Sequence, residues 1–464
     1  MRTILPPLLR DVLGAFGGPV VRVAVCGAGN CGKTVFVASL LEHLRNHDPA
    51  RFDLRGWRVV SAEALAPADG FPEFPLAACR AALCGARPDW PAKTGTASLA
   101  RFRVALRRGA SRRSFVLEML DLPGERLADV AFMSGRGYGG WCDALGRALS
   151  GEAAWDAYSA AVSSSRSVDG VLAAWREFLF RAVSSYSPVV SPSSALVAAS
   201  GETLSPRSSA PEDVREALAR MPLGLGPGRE FAPLPPEVRS SAPDLGARFA
   251  AAYRDWKRAA VEPVAGFLAG ADAACWLVDT LELLNGGVAA YNGARRLGEA
   301  MFAMFPAVDN SSWLSRRWTW NFRPHVRAFA LVATKADRAG PGASQALADL
   351  AGEMFARPLA ALDLPGGARP AVRAVAAAVA AVPSPERPGF LHGSAVTAGG
   401  GTGTGWFPAP DVPSSWPKSS EWKPGSWPAP DLVPRFPERD DEPPPQEGLD
   451  SVAALLLGLS GQGA

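Results

Sequence analysis

Two short clusters in this 464-residue chain, one of eight residues and one of four, have the residue types and spacing to hold a nucleotide. The first is Gly27-Ala28-Gly29-Asn30-Cys31-Gly32-Lys33-Thr34, a G-x-x-x-x-G-K-[ST] run. Glycines let the backbone curl until several N–H groups point inward at phosphate oxygens, beside the positive end of the helix that comes next. In that arrangement Gly27, Gly29, Asn30, Cys31 and Gly32 form the cradle, Lys33 reaches the β- and γ-phosphates, and the Thr34 hydroxyl ligates Mg²⁺. The second is Thr334-Lys335-Ala336-Asp337, an [NT]-K-x-D pattern. The Asp337 carboxylate can accept from guanine N1–H and the exocyclic amine together, with the Lys335 stem along the base. Adenine lacks that donor pair and would leave the acid unpaired, which is costly when buried. The chain has only six lysines (33, 93, 257, 335, 418 and 423), so neither pattern is easily met by accident.

A third pattern, Asp121-Leu122-Pro123-Gly124, gains meaning from its position alone. Asp11–Gly14, Asp143–Gly146, Asp349–Gly352 and Asp363–Gly366 also read D-x-x-G, but only Asp121 ends an apolar strand-like run between the other two motifs. There it can hold Mg²⁺ through water while the Gly124 N–H contacts the γ-phosphate. Glu125 stands where many GTPases carry a glutamine that orients the attacking water. A carboxylate there can accept a water proton but also repels the γ-phosphate, so slow hydrolysis is expected, with Glu125 and Lys33 as catalytic candidates. Arg126 could add positive charge in the transition state, although a solvated switch residue is the plainer reading. A threonine that senses Mg²⁺ and γ-phosphate is sought before the hairpin. Thr94 in WPAKTGT is the candidate, with Thr96 as the alternate.

These residues need a particular scaffold. Val20–Cys26 is a β-branched apolar run ending at glycine and reads as a buried strand, followed by a helix over Thr34–Asn46. Arg101–Leu106 and Ser114–Leu120 flank RRGASRR as a hairpin ending at Asp121, and strand-like runs resume at Ala273–Val278 and Ala328–Ala333. Helical patterns at Gly287–Phe305 and Ser344–Leu362 alternate with the strands, which argues for an α/β core with a mainly parallel sheet, of P-loop NTPase type. Between the two halves, helical stretches at Trp141–Leu149, Val171–Val183, Asp213–Met221 and Asp244–Ala260 suggest an inserted all-helical domain. Its Ser-rich segment, Ser184–Ser209, has little apolar content to pack and reads as a mobile loop. Residues 383–448 are rich in proline, glycine and tryptophan, and a helix at Leu449–Leu459 closes the chain. The expected division is 18–134 and 263–395 as two parts of the core, 135–262 as the insertion and 396–464 as an irregular tail. The fifth GTPase motif is expected after Ala371–Val382 but is not legible there.

Composition sets limits. At 48% hydrophobic and 20% charged residues, a chain of this length has apolar content for two or three domains without staples. A net charge of +3, from 48 basic and 45 acidic residues, argues against a specific nucleic-acid partner. The six cysteines contain no C-x-x-C pair and read as buried thiols in a reducing, cytoplasmic setting; His43 and His47 read as a solvated helix face. The run Trp313–Arg323, WLSRRWTWNFR, suits packed tryptophans with solvated arginines, and leaves room for weak peripheral contact with the inner face of a membrane. The hairpin-tip arginines 107, 108, 112 and 113 read as a solvated edge.

Taken in order, VRVAVCGAGNCGKTVFVASL, FVLEMLDLPGERLADVAFM, CWLVDTLELLNGGVAAYN and FALVATKADR resemble the YcjX-like family of P-loop GTPases. The glycine-rich stretch GGGTGTGWFPAPDVP is similar too. The likeness runs from about residue 18 to 459, weakly over 184–240 and 415–445. It implies a GTP-binding core interrupted by a helical domain, GTP or GDP as ligand with Mg²⁺, and roles for Lys33, Thr34, Asp121 and Asp337 like those argued from the motifs. The chain departs from the family at Gly29 and Asn30, where a serine and a basic residue are usual, and at Arg126, where an aromatic is usual. The expected function is a slow GTPase switch with an unidentified protein partner. The competing readings are an ATP-dependent chaperone or remodelling protein, and a nucleotide-bound scaffold without turnover.

Overall fold

The computed structural model describes residues 19–459 except 67–69, 94, 186, 198–210, 306–325, 341, 363, 365–367, 397–401, 438 and 440. Its centre is a seven-stranded sheet in the order β2-β3-β4-β1-β5-β6-β7. The strands are β1 (Val20–Gly27), β2 (Arg58–Ala64), β3 (Ser98–Arg108), β4 (Ser111–Asp121), β5 (Ala273–Val278), β6 (Ala328–Thr334) and β7 (Ala371–Val375). β4, β1, β5, β6 and β7 run parallel, while β2 and β3 are antiparallel additions at one edge. The result is a mixed α/β fold with a mostly parallel sheet flanked by helices.

The central strands are apolar throughout because both faces are covered. In β1, Ala24 and Cys26 enter one core, and Val23 and Val25 enter the other. The first core holds the Leu127–Met133 helix and the helices that lie between β4 and β5 in the chain. The second holds the Lys33–Arg45 helix and the terminal helix Leu449–Leu456. The expected strands β1, β5 and β6 appear within a residue of their anticipated ends, whereas both hairpin strands run two or three residues longer toward the turn and β3 starts three residues earlier; the hairpin closes through Gly109 (φ 57°). Strand β2 and the Leu76–Cys84 helix, in a stretch with no clear periodicity, were not anticipated. Trp313–Arg323 lies outside the described residues. No described helix is long and apolar enough to cross a membrane.

Three expectations are corrected. The serine-rich stretch is a loop over most of its described part, with one short turn at Ser193–Ala195, but it is packed rather than loose: Val189, Val190, Ser191, Ser193, Ser194, Ala195 and Val197 are buried. Two of its hydroxyls, those of Ser191 and Ser193, are engaged by a buried carboxylate. Asp129, on the Leu127–Met133 helix, accepts from Ser191 Oγ (2.6 Å), Ser193 N (2.9 Å), Ser193 Oγ (2.7 Å) and Trp256 Nε1 (2.8 Å). Polar side chains that find such partners can be interred. His43 is not solvated; it stacks on Phe52 at 4.6 Å, with Nε2 3.0 Å from Pro444 O. Finally, the tail expected to be irregular from 396 contains a strand, Thr402–Pro408, which belongs to a small sheet begun before it. Residues Ala381–Pro383, Phe390–Val396 and Thr402–Pro408 (β8, β9 and β10) form a small antiparallel sheet.

Beyond β10 the chain docks on the core. The helix Thr280–Phe302 breaks at Gly287 (φ 77°, ψ −168°), within Leu284-Asn285-Gly286-Gly287. A break frees carbonyls from the helical ladder. Two of them are taken by the tail: Trp422 Nε1 donates to Leu284 O (2.7 Å) and Gly425 N to Asn285 O (2.8 Å). Trp416 Nε1 donates to Leu350 O (2.8 Å) on the next helix.

Candidate nucleotide site

The loop after β1 adopts the conformation its glycines permit. Gly27 has φ 151°, Asn30 φ 63° and Gly32 φ 86°, so the chain turns back on itself before Lys33 opens the helix. A side chain on Gly27 would come within 2.5 Å of the Leu277 carbonyl and of Cys31 Sγ. Lys33 is buried and folds over the loop, donating from Nζ to Gly27 O (2.9 Å) and Ala28 O (2.7 Å). Cys31 is buried among these groups. Burial pushes its thiol up, and pushes that of Cys26 to about 12, so both are neutral donors of bulk rather than of charge.

Parallel pairing of β1 with β4 carries Asp121 to the same end of the sheet, opposite Val25. There Thr34 Oγ1 donates to Asp121 Oδ2 at 2.8 Å. A hydroxyl and a carboxylate converging beside a phosphate loop are hard oxygen ligands, a donor set that fits Mg²⁺ completed by phosphate oxygens and water. Among the described residues there is no cluster of three or more His, Cys, Asp or Glu that could hold a metal without such help. The next turn, Gly124–Arg126, rests on the loop itself. A Cβ on Gly124 would lie 2.3 Å from Ala28 C and Gly29 N, so only glycine fits. A Cβ on Gly29 would in turn lie 2.5 Å from Glu125 Oε1, which places that carboxylate against the cradle. Arg126 is half-buried rather than solvated, and its Nη2 donates to Gly95 O at 3.2 Å. Thr94 lies outside the described residues, and Thr96 is exposed.

The T-K-x-D segment reaches the same end of the sheet from β6. Lys335 takes a left-handed conformation (φ 58°), and its Nζ pairs with Asp279 Oδ2 at 2.6 Å. Asp279 ends the β5 segment and caps the next helix, its Oδ1 accepting from Glu282 N at 3.0 Å. Asp279 lines the same cleft as Asn30 and Cys31, so its ion pair brings the lysine of this motif beside the phosphate loop. Thr334 Oγ1 donates to Val278 O at 3.3 Å and ties β6 to β5. Asp337 is buried, and its Oδ2 accepts from Ala380 N (2.5 Å) and Ala381 N (3.2 Å). Burial pushes its carboxyl above the usual carboxylate range, against the backbone donors that favour the ion. The segment after β7 is thereby tied to the T-K-x-D turn through the backbone N–H groups of Ala380 and Ala381.

A cleft opens beside these groups, lined by Gly29, Asn30, Gly124, Glu125, Asp279 and Glu282, with Val183, Pro188 and Leu196 from the helical region on the far wall. Sequence reasoning missed Asp279. The signal was present, since an aspartate three residues before Glu282 at a strand–helix junction reads as an N-cap. It also missed Asp129, whose partners no local pattern announces.

A glycine loop between the central strand of a mostly parallel sheet and its helix is consistent with a P-loop-like fold, the class of scaffold that holds nucleoside phosphates. The chain belongs to the YcjX-like family (DUF463), which matches residues 21–459. It is similar to the Ras-like GTPase YcjX of Escherichia coli (strain K12), with 29% identity over 185 residues, 34% of this chain and 39% of that relative. The matched stretch therefore spans well under half the length of that relative.

Proposed function

We propose that this protein binds GTP and GDP with Mg²⁺, hydrolyses GTP slowly to GDP and phosphate, and acts as a nucleotide-controlled switch. The observation that carries the reading is convergence. Lys33, the Thr34–Asp121 pair, Gly124 and the Lys335–Asp279 pair, from four separate segments, meet around one loop. The relative's name, a Ras-like GTPase, points the same way.

In this reading the loop N–H groups and Lys33 hold the phosphates, and Thr34 and Asp121 hold Mg²⁺, Asp121 through water. When bound, that cation would supply positive charge to offset the phosphates. Gly124 N–H meets the γ-phosphate, and Glu125 orients the attacking water and accepts its proton. Two like charges at that point, carboxylate and phosphate, keep turnover slow. Thr94 is the proposed switch threonine, Thr96 the alternate. Asp337 and Lys335 select guanine, with Thr334 bracing the strand end. Residues 18–134 and 263–395 form the GTPase core, 135–262 an inserted helical domain and 396–464 a tail. Asp129 joins the switch helix to the insertion, the route by which γ-phosphate loss would reach a protein partner.

The test is titration of nucleotide-stripped protein with fluorescent GDP in Mg²⁺, competed by unlabelled GDP and separately by ADP. Displacement by GDP alone is expected. Equal displacement by ADP would give Asp337 a purely structural role, holding 380–381, and would favour an ATP-dependent remodelling activity. Absence of binding would overturn the nucleotide reading.

A further inference from the structure

Arg126 is the one residue of the switch turn with no part in the proposed reaction, and its environment is unusual. The guanidinium is half-buried, yet its only hydrogen bond among the described residues runs from Nη2 to the neutral Gly95 carbonyl. Its Nε is buried and meets no acceptor among the described residues. Arg176 and Arg338 also carry a buried Nε without acceptor, but each has a carboxylate partner, Glu230 and Asp431 respectively. Arg126 has none among the described residues. The acids that bear on it are Asp129 and Glu125. Asp129 is committed to Ser191, Ser193 and Trp256, and the Glu125 carboxylate lies against Gly29 of the loop. A guanidinium stays charged even when desolvated, and a buried donor left unmade is costly, so this cation is held ready for an anion.

Its place in the chain, directly after two residues that touch the loop, points to the anion. Arg126 comes after Gly124, whose Cα packs on Ala28 and Gly29, and Glu125, which touches the same cradle. It also reaches across to Gly95, in the segment between the two candidate switch threonines. We infer that Arg126 is a built-in catalytic cation: with GTP bound, its Nε edge takes a γ-phosphate oxygen while Nη2 stays anchored on Gly95. The inference rests on the proposed GTPase function. In the hydrolysis step water oxygen bonds to the γ-phosphorus and its proton passes to Glu125, the bond to the β–γ bridging oxygen breaks, and the leaving β-phosphate keeps that electron pair. Negative charge shifts onto these oxygens, where a fixed cation stabilises the transition state more than the ground state. Arg126 also offsets the repulsion that Glu125 brings to the same place.

The experiment compares the full-length protein with Arg126→Gln and Arg126→Lys, measuring GDP affinity, single-turnover GTP hydrolysis, and trapping of GDP with aluminium fluoride. Expected for Arg126→Gln is about a 100-fold slower hydrolysis and loss of aluminium fluoride trapping, with GDP affinity within about twofold of wild type. Arg126→Lys should recover part of both, because it restores charge without the fork. Hydrolysis in Arg126→Gln within about threefold of wild type overturns the inference and leaves the GTPase reading standing. A fall in GDP affinity equal to the fall in rate makes Arg126 a latch between switch segments and also overturns it. A wild-type protein that binds GDP without hydrolysing GTP overturns it as well. Failure of the wild type to bind GDP overturns both.

Discussion

The two ends of the candidate nucleotide site differ in how their charged groups are engaged. At the phosphate end, Lys33 is held by two main-chain carbonyls of its own loop, and Thr34 and Asp121 bond one another. The partners of Lys33 lie within its own loop, and the cradle is shaped by the backbone conformations of Gly27, Asn30 and Gly32. At the base end, Asp337 already commits one oxygen to two N–H groups of the segment after β7, and Lys335 is ion-paired to Asp279. A base arriving there must share or exchange bonds that already exist. The phosphate end is therefore preformed and should dominate affinity, while the base end contributes selectivity as a difference between bonds made and bonds given up.

Substituting Lys33 tests the dominant end and should give the largest effect. Lys33→Met keeps much of the stem's bulk and removes the charge. Truncating one partner of a buried charge-assisted contact costs about 2–5 kcal/mol, a loss of roughly 30-fold to several thousand-fold in affinity. GDP and ADP should lose affinity by similar factors, as read by the fluorescent competition, while far-ultraviolet circular dichroism stays unchanged. A Lys33→Met protein that binds GDP within threefold of wild type would reverse the ranking of the two ends.

Asp337→Asn sharpens the comparison at the other end. The amide oxygen can still accept from Ala380 and Ala381, so the local fold is preserved better than by alanine. Its NH₂ group, however, faces guanine donors with a donor. A loss of about 10- to 100-fold for GDP is expected, at one to two hydrogen bonds to a charged group. Xanthosine diphosphate, which presents a carbonyl where guanine carries its amine, should lose less or gain. Equal affinity of the variant for GDP and xanthosine diphosphate would reduce Asp337 to a brace.

The same contrast governs how much of each end is legible in the amino-acid sequence. The phosphate end lies in one octapeptide plus Asp121, and strand β1 appears within a residue of its expected end, because a glycine loop after an apolar run encodes both conformation and chemistry locally. The base end is legible only by half. Thr334–Asp337 announces itself, but Ala380 and Ala381, 43 and 44 residues further on, are alanines that act through backbone N–H and carry no side-chain signal. The helical region hides more. Asp129 is satisfied by Ser191, Ser193 and Trp256, up to 127 residues away, so a serine-rich stretch that looks unable to pack is interred by a partner no window could include. Short-range pattern reports elements whose bonds are local; it misreads segments whose polar groups are satisfied at a distance.

The smallest expected effect concerns protons at the base end. Burial raises the Asp337 pKa above that of an ordinary carboxylate, so on acidification this group takes up its proton earlier than a solvated aspartate would. The neutral acid presents an O–H where guanine presents N–H donors, so guanine binding requires the ion and must lower the pKa again. Affinity for GDP should therefore fall as pH falls, and the preference over the Asp337→Asn variant should shrink with it. The variant carries the same phosphate contacts, so the ratio of wild-type to variant affinity removes the titration of the phosphate itself. From pH 7 down to about pH 5 that ratio should decrease, measured by the same fluorescent displacement at constant ionic strength. Linkage fixes the companion sign for the free protein. A raised carboxyl pKa favours the fold at low pH, and that contribution is lost as pH rises through the shifted value, so the ligand-free wild type should gain stability relative to Asp337→Asn on acidification. A ratio that stays flat, or grows on acidification, would show that Asp337 does not meet the base, and the two ends would then differ in kind rather than in degree.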